Sequence, residues 1–140
     1  MQPAVETKIW MALKSRINSY STSMPKLMPG EKYARPSGDL PLPYIRVGRV
    51  VTDPVGLMIS HGQRHDRTGF LMLTVVEPLG HPIEVYDNNA GLIAQHFVDG
   101  TSMRYQDVCV TVTDYPYVMD GFEESGYWET PVRIPWRCFA

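Results

Sequence analysis

Residues Phe70-Leu71-Met72-Leu73-Thr74-Val75-Val76 carry one hydroxyl among otherwise apolar side chains. Successive side chains of a strand point to opposite faces, so a run that is apolar at every position has no face to offer to water. This segment must be a central strand, or one covered by a neighbour on its second face. Its limits are marked by Gly69 on one side and by Glu77-Pro78-Leu79-Gly80 on the other. A chain built around such a strand needs further strands beside it and helices above it.

The rest of the sequence supplies them. Val5, Ile9, Leu13 and Ile17 recur every four residues, with Ala12 and Tyr20 flanking the same stripe, which predicts an amphipathic helix from about Ala4 to Tyr20. Pro25, Pro29, Gly30, Pro36, Gly38, Pro41 and Pro43 then break regular structure. Leu27, Met28, Tyr33 and Leu40 among them argue for an ordered crossing rather than a linker between domains. Tyr44–Val51 alternates as a half-buried strand with Ile45 and Val47 on one face. The polar stretch 52–67 is long for a plain connection and could carry a short hairpin arm at Leu57-Met58-Ile59. Ala90, Ile93, Ala94 and Phe97 define a second helix over Tyr86–Val98, capped by Asp87 or Asn88 and ended by Gly100. Two further alternating strands occupy residues 108–113 and 132–139. Pro135 cannot donate a ladder hydrogen bond, which predicts that the last strand lies at an edge or contains a bulge. The order helix, strand, strand, helix, strand, strand gives an α+β fold: a mostly antiparallel sheet of four or more strands with two helices packed on one face, in one domain spanning residues 1–140.

Composition removes several functional classes. A net charge of −2 offers no global basic signal for nucleic acid or anionic lipid. Cys109 and Cys138 both sit in strand-like apolar runs and read as free core thiols, not as a secreted disulfide framework. No stretch approaches the roughly 18 apolar residues of a membrane span. The N-terminus lacks the charged region and apolar run of a signal peptide, so assembly in the cytoplasm is expected.

Motifs for catalysis are equally sparse. There is no G-x-S-x-G, no P-loop and no G-x-G-x-x-G, and Ser60-His61 has no ordering carboxylate at a recognisable spacing. His61 and His65 are four apart, with Asp66 as a possible third metal ligand, but Gly62 and the loop composition argue against a helical pair. His81 and His96 are isolated. Asp114, Asp120, Glu123 and Glu124 form an acidic segment interleaved with aromatics, better suited to solvent or a partner than to acid–base chemistry. No catalytic residue, metal site or cofactor is expected. Arg46, Arg49 and Arg133 are expected to project to one side of the sheet, as a charge seam between subunits or a solvated face.

In order along the chain, Ile9-Trp10-Met11-Ala12-Leu13, then Leu42-Pro43-Tyr44-Ile45-Arg46-Val47, then the Gly69-led strand closing at Pro78-Leu79-Gly80, then Ala90–Phe97, then Pro131-Val132-Arg133-Ile134-Pro135-Trp136-Arg137 form a pattern. That pattern resembles the tail terminator (tail completion) proteins of long-tailed bacteriophages. His81-Pro82 departs from it where a glycine is usual. The resemblance implies a structural virion protein, not an enzyme, located at the head–tail interface. It implies a homo-oligomeric ring, usually six-fold, that stops tail tube polymerisation and gives the head its docking surface. The tail tube protein and a head completion or connector protein would be its partners. Genome DNA would pass through the lumen without specific binding, and no membrane is involved. Interface candidates are then Arg46, Arg49, Arg133, Tyr115, Tyr117 and Phe122. The loop carrying Asp53, His61, Arg64, His65 and Asp66 would touch the tube or the connector. Another head–tail joining part, a tail tube subunit, or a small metal-binding enzyme built on His61, His65 and Asp66 are the alternatives.

Overall fold

A computed structural model describes residues 3–31, 43–56 and 64–140. In chain order it contains α1 (Val5–Ser19), β1 (Lys26–Leu27), β2 (Tyr44–Val51), β3 (Val55–Gly56), β4 (His65–Pro78), α2 (Ile83–His96), β5 (Ser102–Tyr105), β6 (Val108–Val112), β7 (Tyr117–Val118), β8 (Phe122–Glu124) and β9 (Tyr127–Phe139). The fold is α+β, as expected, but the sheet is larger than four strands. Among the described residues, nine strands join in the order β1-β2-β4-β9-β6-β5, with β3 on β4 and β7 and β8 on β9. Every pairing is antiparallel except β1 with β2.

The apolar run becomes the middle of β4, flanked by β2 and β9 along its length. Its odd-numbered members Leu71, Leu73 and Val75 face the helices, beside Ile45 and Val47 of β2 and Val132, Ile134 and Trp136 of β9. Ile9, Ala12, Leu13 and Ile17 of α1 and Ala90, Ile93, Ala94 and Phe97 of α2 close this layer, so both helices cover one face and share one core. Leu71, Val75, Val110, Val132 and Ile134 are all fully buried, each contributing about 1.5–3 kcal/mol by leaving water. Gly69 is required here. The Trp136 indole lies across it, and a Cβ at this position would come within 2.6 Å of the ring and 2.5 Å of the Val50 carbonyl.

Polar ties hold the helices. Arg16 donates to the His96 carbonyl at 2.6 Å, joining the last turns of α1 and α2. The ammonium of Lys8, itself buried, meets Asp107 at 2.7 Å in the β5–β6 turn and holds that carboxyl below the usual carboxylate range.

Three boundaries and the place of Pro135 differ from the sequence reading. Helix α2 starts at Ile83, with extended Pro82 before it, so neither Asp87 nor Asn88 is a cap. Proline presets the backbone just outside a helix, and the apolar stripe could not reveal that first turn. The helix ends at His96 with Phe97 as its cap, before Gly100. Strand β9 begins at Tyr127, because Ser125-Gly126, both at positive φ, make a tight two-residue turn from β8. Pro135 lies in an interior strand, paired with Phe70 of β4. It is tolerated because β6 ends at Val112, and there Thr113 donates its N–H to the Pro135 carbonyl at 3.1 Å. The side needing a donor from residue 135 is where one neighbour stops and the next, β7, has not begun. The proposed arm at Leu57-Met58-Ile59, the crossing residues Tyr33 and Leu40, and His61 lie outside the described residues.

Candidate assembly interface

The candidate arginines separate by face. Strand alternation puts Arg46, level with Thr74, and Arg133, level with Met72, on the face away from the helices. Arg49, level with Leu71, points the other way, under α1, where its guanidinium lies 5.4 Å from the centre of the Trp10 ring. The expected three-arginine side therefore does not form: β4 stands between β2 and β9, and position 49 has the opposite parity from 46.

Each arginine has its own surroundings. Arg46 donates to the buried Glu129 carboxylate at 2.5 Å. A buried carboxylate without a partner is costly, so this pair secures the sheet more than it offers a free charge. Exposed Arg133 sits between Phe70 and Tyr117, at 5.1 and 5.6 Å from their ring centres. Beside Arg49 is a cleft of about 90 Å³, lined by Ile9, Val51, Pro54 and Trp136 with Arg49 and Arg67. The Trp136 indole N–H is buried and, among the described residues, has no hydrogen-bond partner.

The residues assigned to one loop are also distributed. Asp53 is exposed between β2 and β3, and Arg64 is exposed just before β4. His65 and Asp66 are strand residues, paired with Gly56 and Val55 of β3. His65 exchanges both backbone hydrogen bonds with Ala140, at 2.9 and 3.0 Å. Asp66 accepts two hydrogen bonds from Arg137, at 2.8 and 2.6 Å, and this guanidinium holds its carboxyl below the usual range. Among the described residues, no three His, Cys, Asp or Glu side chains come together in a way that could hold a metal ion. Cys138 is buried and Cys109 half-buried, both as free thiols, and burial pushes the Cys138 thiol up.

Tyr115, Tyr117 and Phe122 are all exposed, on the segment that runs along the outer side of β9. This segment is a built structure. Met119 donates to the Pro131 carbonyl at 2.9 Å. Trp128, opposite Glu123, stacks on Tyr86 of α2 with ring centres 5.3 Å apart and planes 16° from parallel. The Tyr86 hydroxyl donates to the Pro78 carbonyl at 2.8 Å. Gly121 lets the backbone cross the Trp128 indole, since a Cβ there would lie 2.3 Å from its nitrogen. The sequence marks Tyr127–Trp128 as an aromatic loop suited to an oligomeric edge and Tyr86 as a helix residue, but neither their stacking nor the role of Gly121 was legible in it. Ser125-Gly126 between Glu124 and Tyr127 was the available signal for the hairpin.

No helix among the described residues is long and apolar enough to cross a membrane. No curated protein sequence matches the chain. Among solved structures, one superposes with a TM-score of 0.76 at 14 % sequence identity, over 97 % of this chain and 96 % of that one, which is a likeness of fold. A sequence model described as phage tail terminator protein matches residues 8–136, from the first turn of α1 to Trp136 in β9, and the chain therefore belongs to that family.

Proposed function

We propose that this structural phage tail protein forms a homo-oligomeric ring at the head-proximal end of the tail tube, six-fold as is usual for the resemblance described above. The ring stops tube polymerisation and offers the surface on which the filled head docks. DNA passes through its lumen without specific binding. Family membership supports the tail assignment. The observation that carries the ring is that, among the described residues, the sheet leaves edges of different composition unpaired on its two sides: β2 beyond the short β1 on one side, and β5 and β7–β8 on the other. Unlike edges join head to tail, and head-to-tail contacts generate closed rings when the rotation closes. Asp53 and Arg64, at the end of the sheet where β2, β3 and β4 meet, belong to the arm that touches the tube or the head connector.

The test is to add the purified chain to polymerising tail tube subunits and measure tube length by electron microscopy. Tubes that stop growing and carry a ring at one end are the expected result. If the chain itself extends into tubes without limit, it is a tube subunit. If tube growth is unaffected at saturating chain, the terminator role fails.

A further inference from the structure

Strand β2 carries Arg46 and Arg49 and no carboxylate. Among the described residues, β1 pairs with β2 only at Ile45 and Arg46, and Val50 and Val51 beyond it are 52 % and 55 % exposed. On the other side of the sheet, residues 114–124 carry Asp114, Asp120, Glu123 and Glu124 and no lysine or arginine. Strands β7 and β8 in this segment pair with β9 on one side and, among the described residues, with no strand on the other. An open edge presents unpaired backbone N–H and C=O groups to any strand that fits.

Resting on the ring reading above, we propose that β8 of one copy adds to the open half of β2 of the next, antiparallel. Arg49 then meets Glu123, and Val50 meets Phe122. The strand directions suit this. Strand β2 is antiparallel to β4, β4 to β9 and β9 to β8, so β2 and β8 run in opposite senses. Rotation about the belt's own axis preserves both sense and face, so the helices of all copies stay on one side of a continuous belt. Side-chain parity agrees. Arg49 is level with Leu71 and Glu123 with Trp128, both on the helix-covered face. Val50 and Phe122 are both on the opposite face, and both are exposed in the free chain. Backbone pairing supplies the adhesion, and the opposite charges select the partner edge.

The geometry also permits closure. The two contact points lie level with Ile134 and Trp128, six residues apart along β9, or about 20 Å at the rise of a strand. Neighbouring copies repeat every four strand spacings, about 19 Å. A belt without rise then has strands tilted by about 45° to its axis, as in closed barrels. The Trp128–Tyr86 stack and the Ser125-Gly126 turn hold β8 ready for docking before assembly.

The test measures mass in solution against concentration, by light scattering, for the wild type, Arg49→Glu, Glu123→Arg and the double variant. Each single variant is expected to raise the concentration for half-assembly by about tenfold or more through like-charge contact, and the double variant to restore it. Single variants that assemble like the wild type overturn the edge pairing while leaving the ring standing. A wild type that is monomeric at every concentration removes the ring reading and the pairing with it. Circular dichroism checks that each variant folds. If a single variant does not fold, oxidation of Val50→Cys with Phe122→Cys, on a Cys109→Ser background, decides. A ladder of disulfide-linked multimers supports the register, and its absence overturns it.

Discussion

Glu77 is the residue most at odds with its surroundings. It is buried under α2, with one carboxylate oxygen accepting from Asn89 at 2.9 Å and the other without a partner among the described residues. Burial pushes its carboxyl up from the usual 4.5, against the smaller opposing effects of Asn89 and His81. The folded state therefore holds this proton more tightly than the unfolded chain does. Glu77 favours folding most below pH 4.5, and that contribution is lost as pH rises through its raised value in the fold. Glu77→Gln should raise stability at pH 7 by about 1–3 kcal/mol. The gain should shrink toward pH 4, as read from thermal melts across that range. A gain that is the same at both ends would mean the carboxylate is not the source. Glu129 shows the opposite solution on the outer face, where Arg46 reaches across β4 to satisfy a buried carboxylate.

The β8–β9 hairpin shows how one element is fixed by a single close approach. Its turn is set locally by Ser125 and Gly126, at φ of 52° and 83°. Its position is set by the Trp128 indole, held between Tyr86 and the backbone of Gly121. Gly121→Val should cost about 1–3 kcal/mol, because the added atoms have nowhere to go without moving the indole. Chemical denaturation measures that loss. The loss should be greatly reduced in a Trp128→Ala background, since the clash partner is then gone. Equal losses in both backgrounds would place the strain elsewhere.

At the scale of the molecule, unlike edges on the two sides of the sheet and one helix-covered face make a subunit suited to the proposed belt. An edge contact selected by arginine and carboxylate is exposed to solvent, so added salt weakens it. The assembled mass should fall as ionic strength rises from about 0.1 M to about 1 M, where the screening length shortens from about 10 Å to about 3 Å. Sedimentation at fixed protein concentration reads this directly. A mass that rises with salt would point to an apolar contact instead, with Phe122 and Val50 dominant and the charges incidental.

The sequence by itself determined the strands and helices whose apolar period is strong. It placed α1 within a residue, β2 at its observed limits and β4 as a central strand, because burial imposes period 3.6 or 2 on neighbouring residues. It also carried the ordered pattern that resembles the family. Register was beyond its reach. Whether Arg49 and Arg46 share a face with Arg133 depends on the parity of strands that meet only in the folded sheet. The tolerance of Pro135 depends on where β6 stops, and the start of α2 on a proline that the stripe does not register. Those features arise from contacts between segments far apart in the chain, such as Thr113 with Pro135 and Trp128 with Tyr86. Local propensity carries no information about such contacts, so only the tertiary structure could decide which edges remain open.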